Sequence, residues 1–178
     1  MATTAGYYAA FIALGMVAAS LGPTLPWLAD NTKTQLGQIS LLFTARSIGY
    51  FLGSLMGGRF YDRVPGHLLS ATMLVAMAVC MAVIPLTSIF WLLVAVLLLL
   101  GIGEAYVDVG GNAMLVWVHG REVGPYMNAL HFFFGVGAFL SPIIIAWVIA
   151  WSDSITWAYW LLALLIVPVA LYMLSLIH

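Results

Sequence analysis

Glu104, Asp108 and Asn112 recur every four residues through GIGEAYVDVGGNAMLVWVHG, Gly101 to Gly120, one of the most apolar runs of the chain. At about 100° per residue, the three fall within about 80° of one another on one helical stripe. Carboxyl groups in such a run can hold a proton or a cation. In a bilayer each costs at least about 2.5–3.5 kcal/mol, so stability alone does not explain them. Arg46 interrupts a second apolar run, and Asn128 and His131, at i and i+3, share one face of a third. An arginine paired with one carboxylate also has a purely structural reading, as do asparagines bonding between helices and a histidine packed in a core. Two acids with one arginine are harder to account for that way, because one acid is left to be protonated, to bind a cation or to touch water.

The elements that carry these residues must be membrane helices. Of the 178 residues 65% are hydrophobic and 6% charged, whereas roughly a quarter of a soluble domain is charged. Runs of about 20 apolar residues bounded by charges, Gly/Pro pairs or polar clusters give six spans, at about 5–28, 36–57, 68–86, 89–118, 125–150 and 155–177. The expected fold class is an all-α membrane protein, with residues 1–178 forming a single six-helix transmembrane domain. MATTAGYY has no basic n-region and no small-residue cleavage site follows it, so the first run reads as a retained span and not a signal peptide. Arg59 and Arg63 after the second span and Arg121 after the fourth outweigh Lys33 alone on the other side. By the positive-inside rule both termini are cytoplasmic. Trp27, Trp91, Trp117, Trp151 and Trp157 fall at the expected water boundaries, and Trp27, at the mouth of the first span, is also placed to face a cavity.

Depth along antiparallel spans sets which polar groups meet. At about 1.5 Å per residue, Arg46 and Glu104 lie at about the same level. Asp108, Asn112, Asn128 and His131 share the cytoplasmic half. Gly49, Gly53 and Gly57, and Gly135 with Gly137, are expected at close helix contacts, and Gly110-Gly111 is expected to loosen the fourth span beside Asp108.

Several functions are excluded or unsupported. A net charge of -1 without a clustered basic face gives no case for nucleic acid. Cys80 is the lone cysteine, and neither a CxxC pair nor an HExxH motif suggests a metal site. No nucleophile with an adjacent base and orienting acid can be assembled, so an enzyme is unsupported and no cofactor is expected. A secondary carrier, an acid-lined pore and a membrane interaction protein draw on the same residues.

The loop GGRFYDRVPGH between the second and third spans resembles the cytoplasmic signature of the major facilitator superfamily, with Gly58, Asp62, Arg63 and Gly66 carrying the match and His67 standing where a basic residue is usual. GPTLPWLA, EAYVDVGGNAML and MNALHFFFGVGAFLSP resemble the branch of fucose permeases and sodium-dependent glucose transporters. The resemblance implies a proton- or sodium-coupled carrier of a sugar or similar small polar solute, working by alternating access from the plasma or inner membrane. It makes Glu104, Asp108, Asn112, Asn128 and His131 candidates for coupling and substrate contact. With Arg46 added by its depth the coupling set is Glu104, Asp108, Arg46 and His131, and with Trp27 added by its place at the mouth of the first span the substrate-facing set is Asn112, Asn128 and Trp27. Gly58, Asp62, Arg63 and Gly66 become a gating motif. The first-span carboxylate of fucose permease has no counterpart here, since no Asp or Glu precedes Asp30.

The superfamily has twelve helices in two parallel six-helix repeats with substrate between them. The six spans here correspond to the first repeat, whose polar face would be costly against lipid. The expected partners are therefore the lipid bilayer, a small polar substrate, and either a second copy in a parallel homodimer or a separate second half without which the chain is inactive.

Overall fold

The computed structural model describes residues 2–177, and among them all regular structure is helical. The helices are α1 (Ala2–Ala18), α2 (Leu21–Thr32), α3 (Leu36–Ile39), α4 (Leu41–Tyr61), α5 (Gly66–Val83), α6 (Phe90–His119), α7 (Val123–Ser152) and α8 (Ile155–Ser175). Leu36–Tyr61, Gly66–Leu86, Phe90–Ser152 and Ile155–Ser175 are each long and apolar enough to cross a membrane, and α1 with α2 passes jointly as a span bent by 43°. The 63 residues of Phe90–Ser152 hold two 30-residue helices. Gly120, at φ 53°, separates them through a left-handed backbone that favours glycine. Thr4 reaches His119 and Phe11 meets Gly111 of α6, whereas Ile12 meets Gly137 of α7 and Met16 meets Ser141. Hence α6 runs antiparallel to α1 while α7 runs parallel to it, and the stretch crosses twice.

Three differences from the sequence-based boundaries have identifiable causes. The first span is not one helix over 5–28. Pro23 and Pro26 have no N–H for the carbonyls of Ala19 and Gly22, and the chain breaks at Ala19 and Ser20. The second span begins as the four-residue α3 and its main helix continues past Gly57 to Tyr61. Gly110 and Gly111 do not loosen α6, which is continuous. A Cβ on Gly110 would lie 2.0 Å from the Tyr61 hydroxyl, and one on Gly111 would lie 2.3 Å from the Phe11 ring. Both glycines serve close approach. Across Gly110, the Tyr61 hydroxyl donates to the Tyr106 carbonyl at 2.8 Å and meets Ser70 Oγ at 2.9 Å.

Two helix pairs, α4 with α6 and α1 with α7, are packed backbone against backbone in the same way. A Cβ on Gly49 would sit 2.0 Å from the Leu98 carbonyl oxygen, and one on Gly101 2.1 Å from that of Arg46. In the other pair, a Cβ on Gly137 would sit 2.0 Å from the Ile12 oxygen, and one on Gly15 2.1 Å from that of Phe134. The spacings match in both pairs, so Gly137 stands to Gly49 as Gly15 stands to Gly101. A further position follows suit, since Gly53 approaches the Ile102 carbonyl and Ser141 donates to that of Met16 at 2.7 Å. The matched contacts relate the α4–α6 pair to the α7–α1 pair, as an inverted repeat within one bundle would. Gly135, expected at a close contact, has nothing within 4 Å of its Cβ position.

Candidate functional site

The polar centre is assembled at the α4–α6 crossing. Because Gly49 and Gly101 let the backbones touch, Arg46 and Glu104 extend from helices too close for either side chain to miss the other. Arg46 Nε donates to Glu104 Oε2 at 2.6 Å and Nη2 donates to Oε1 at 2.7 Å. This is the two-point, charge-assisted fork in which guanidinium geometry matches a carboxylate. The Glu104 side chain is 2% exposed and that of Arg46 17%. The third nitrogen, Nη1, donates to the carbonyl of Ala18 at the end of α1, at 2.9 Å.

One turn along α6, Asp108 has a different environment. The Tyr50 hydroxyl donates to its Oδ2, and Asn112 Nδ2 donates to its Oδ1 at 3.0 Å and to its backbone carbonyl at 2.9 Å. Among the described residues the Arg46–Glu104 contact is the ion pair present, so Asp108 is held by neutral donors alone. A cavity of about 360 Å³ brings the groups together, lined by Arg46, Tyr50, Glu104, Asp108, His131 and Phe134, with Phe11, Leu14 and Ala18 completing the wall. A neighbouring cavity of about 290 Å³ shares Arg46, Tyr50 and Glu104 and adds Phe43 and Ser47. His131 presents its ring edge-on to Phe11, with centroids 6.0 Å apart.

Of the residues singled out in the sequence, the structure thus joins Arg46, Glu104, Asp108 and His131 around one cavity, with Asn112 orienting Asp108. Asn128 lies one turn before His131 on α7, exposed and outside the lining of either cavity, and Trp27 lies on α2, outside both as well. In the loop signature, the Asp62 N–H closes the end of α4 on the Gly58 carbonyl at 3.2 Å. The side chains of Asp62 and Arg63 are exposed, and Arg59 and Arg63 flank a groove of about 130 Å³ with Met56 and Phe60. Gly66 allows the start of α5 to lie against Met114, 2.8 Å from its Cβ position, whereas Gly58 has open space there. His67 meets the Tyr7 hydroxyl at 2.9 Å, fastening α5 to α1. Sequence reasoning missed Tyr50, although its position four residues after Arg46 places it on the same stripe of α4. Phe134 and the Ala18 carbonyl carried no comparable signal.

Comparison with known proteins supplies the family. The profile of the Major Facilitator Superfamily matches residues 7–178. The chain belongs to the major facilitator superfamily. It is 40% identical over 136 residues to "Sodium-dependent glucose transporter 1" of Danio rerio, covering 76% of this chain and 23% of that protein. To "Sodium-dependent glucose transporter 1A" of Mus musculus it is 37% identical over 142 residues, 79% of this chain and 33% of the relative. To human "Major facilitator superfamily domain-containing protein 4A" it is 34% identical over 142 residues, 79% of this chain and 28% of the relative. The chain therefore spans about a quarter to a third of the length of these relatives. It is an integral membrane protein, and its helices correspond to one half of a major-facilitator fold.

Proposed function

We propose that the chain is a half-unit of a secondary carrier that moves a sugar or similar small polar solute by alternating access, coupled to sodium or protons. The observation that carries this reading is the pairing of two unlike carboxylates in one cavity. Glu104 is neutralised and locked by Arg46, whereas Asp108 faces the same space with, among the described residues, Tyr50 and Asn112 as its donors. A carboxylate at membrane depth with no cationic partner gains from binding Na+ or H+, so Asp108 is assigned as the coupling acid and Glu104 as its structural neighbour. The cavity of about 360 Å³ lies within the roughly 300–1,000 Å³ of small-molecule sites. Its polar groups stand beside the rings of Phe11, Tyr50 and Phe134, which suits a solute with hydroxyl edges and an apolar ring face. The similarity to proteins named sodium-dependent glucose transporter favours a hexose with sodium as the first pair to test.

Working as a carrier requires a second six-helix unit across the cavity, and a parallel homodimer supplies one while duplicating Asp108 and Glu104 around the path. Arg59, Arg63 and Arg121 then face the cytoplasm, as do both termini. The test is uptake of labelled glucose into proteoliposomes with and without a sodium or pH gradient. The parent chain is expected to accumulate solute under the gradient, and Asp108→Asn to lose that accumulation by at least tenfold while retaining exchange of solute. Gradient-driven uptake unchanged by Asp108→Asn would remove the assignment.

A further inference from the structure

The break in the first span and the ion pair at the α4–α6 crossing are one connected unit. Pro23 accounts for the break, because it cannot donate to the carbonyl four residues earlier. It does not determine how far α2 swings. Around the break, Ser20 N–H and Oγ both donate to the Val17 carbonyl, at 3.2 and 2.8 Å. The Thr24 hydroxyl returns to the Ser20 and Leu21 carbonyls at 2.9 and 3.2 Å. The last carbonyl of α1, that of Ala18, receives Arg46 Nη1 from another helix at 2.9 Å. Each helix arm is also fastened separately. Ser141 of α7 holds the Met16 carbonyl at 2.7 Å, and Tyr159 of α8 meets Thr24 at 2.8 Å. The joint between the arms lies under the guanidinium.

We propose that Arg46 is a positioning residue that sets the bend of the first span, and that Glu104 controls it by aiming the guanidinium. The guanidinium is planar and rigid. With Nε and Nη2 occupied on the Glu104 carboxylate, the direction of Nη1 is determined, and it points at the Ala18 oxygen. Loss of the two-point grip frees the plane to rotate and releases that carbonyl. Ala18, Arg46 and Glu104 all line the cavity, so a solute or ion that draws on the Arg46–Glu104 pair acts directly on the joint. The arm beyond it, α2, has 12 residues and is about 18 Å long. Straightening the 43° bend entirely would carry its tip through about 13 Å.

The experiment is a spin-label distance measurement between Asp30→Cys on α2 and Trp151→Cys at the far end of α7, in a Cys80→Ala background. The variants are Arg46→Lys, which keeps the charge but not the three-sided donor set, and Glu104→Gln, which keeps the shape but not the charge. The parent is expected to give one narrow distance. Both variants are expected to move or broaden it while helix content is unchanged. Parent-like distances in both variants would overturn the proposal, as would an identical change in a control that disturbs packing elsewhere, Leu74→Ala in the core face of α5. Should Arg46→Lys not fold, Glu104→Gln alone decides the outcome. The readout involves no transport, so its failure is separate from failure of the carrier reading.

Discussion

At the scale of single residues, the roles proposed for the Arg46–Glu104 pair and for Asp108 separate stability from transport. Arg46→Leu leaves a carboxylate whose side chain is 2% exposed without its cation, which costs about 3–5 kcal/mol. Changing both partners to leucine removes the uncompensated charge, and such replacements are neutral or stabilising by about 1–4 kcal/mol. Thermal unfolding in detergent is therefore expected to show a low midpoint for Arg46→Leu and a parent-like or higher one for the double variant, with gradient-driven uptake absent from both. Tyr50 acts on the other acid. Its hydroxyl donates to Asp108 Oδ2, and a hydrogen bond to a charged group is worth about 1.5–3 kcal/mol. A cation entering the site competes with that donor. Tyr50→Phe is expected to lower the half-saturating concentration of the coupling cation by about tenfold, read from initial uptake rates at varied cation concentration.

At the scale of the helices, the repeated glycine contacts explain why the cavity is polar on one side. Through the internal repeat, Phe134 occupies the place of Arg46, and Ala18, three residues after Gly15, occupies that of Glu104. The same backbone crossing thus holds an ion pair in one pair of helices and an apolar wall in the other. These crossings tolerate no side chain. Gly49→Ala or Gly137→Ala places a Cβ 2.0 Å from a carbonyl oxygen and must push helices apart, at a cost of about 1–3 kcal/mol. Gly135→Ala meets nothing within 4 Å and is expected to be neutral or stabilising by up to about 1 kcal/mol. Thermal unfolding of the three variants side by side distinguishes close approach from mere helical glycine.

At the scale of the whole molecule, the proposed carrier arrangement places a second unit across the cavity, because Asp108 and Arg46 facing an open groove would carry a cost in lipid. In mild detergent, native mass measurement is expected to give a particle of twice the 19.3 kDa chain. A monomer that nevertheless drives coupled uptake would overturn the two-unit arrangement. Cross-linking through cysteines placed on the cavity-side faces of α4 and α7 identifies the interface.

The sequence by itself determined the membrane class and the stripe of Glu104, Asp108 and Asn112, because hydropathy and helical period are local properties. It also carried the family signature around Asp62 and Arg63. The depth of Arg46 was legible too, since a helix rises by a constant amount per residue. The tertiary structure alone decided what each group touches. Arg46 and Glu104 already match in depth, but the two-point grip between them depends on where two backbones cross, and that crossing is set by glycines whose effect appears only when a partner helix is in place. The same is true of Gly110, which reads as a weak point in one helix and becomes a seat for Tyr61 once α4 lies beside it. The break in the first span has its cause in Pro23 and Pro26, yet hydropathy runs unbroken across them and the stretch reads as one span over 5–28. Its coupling to Arg46 joins residues 28 positions apart in the chain, and only packing brings them within hydrogen-bond distance.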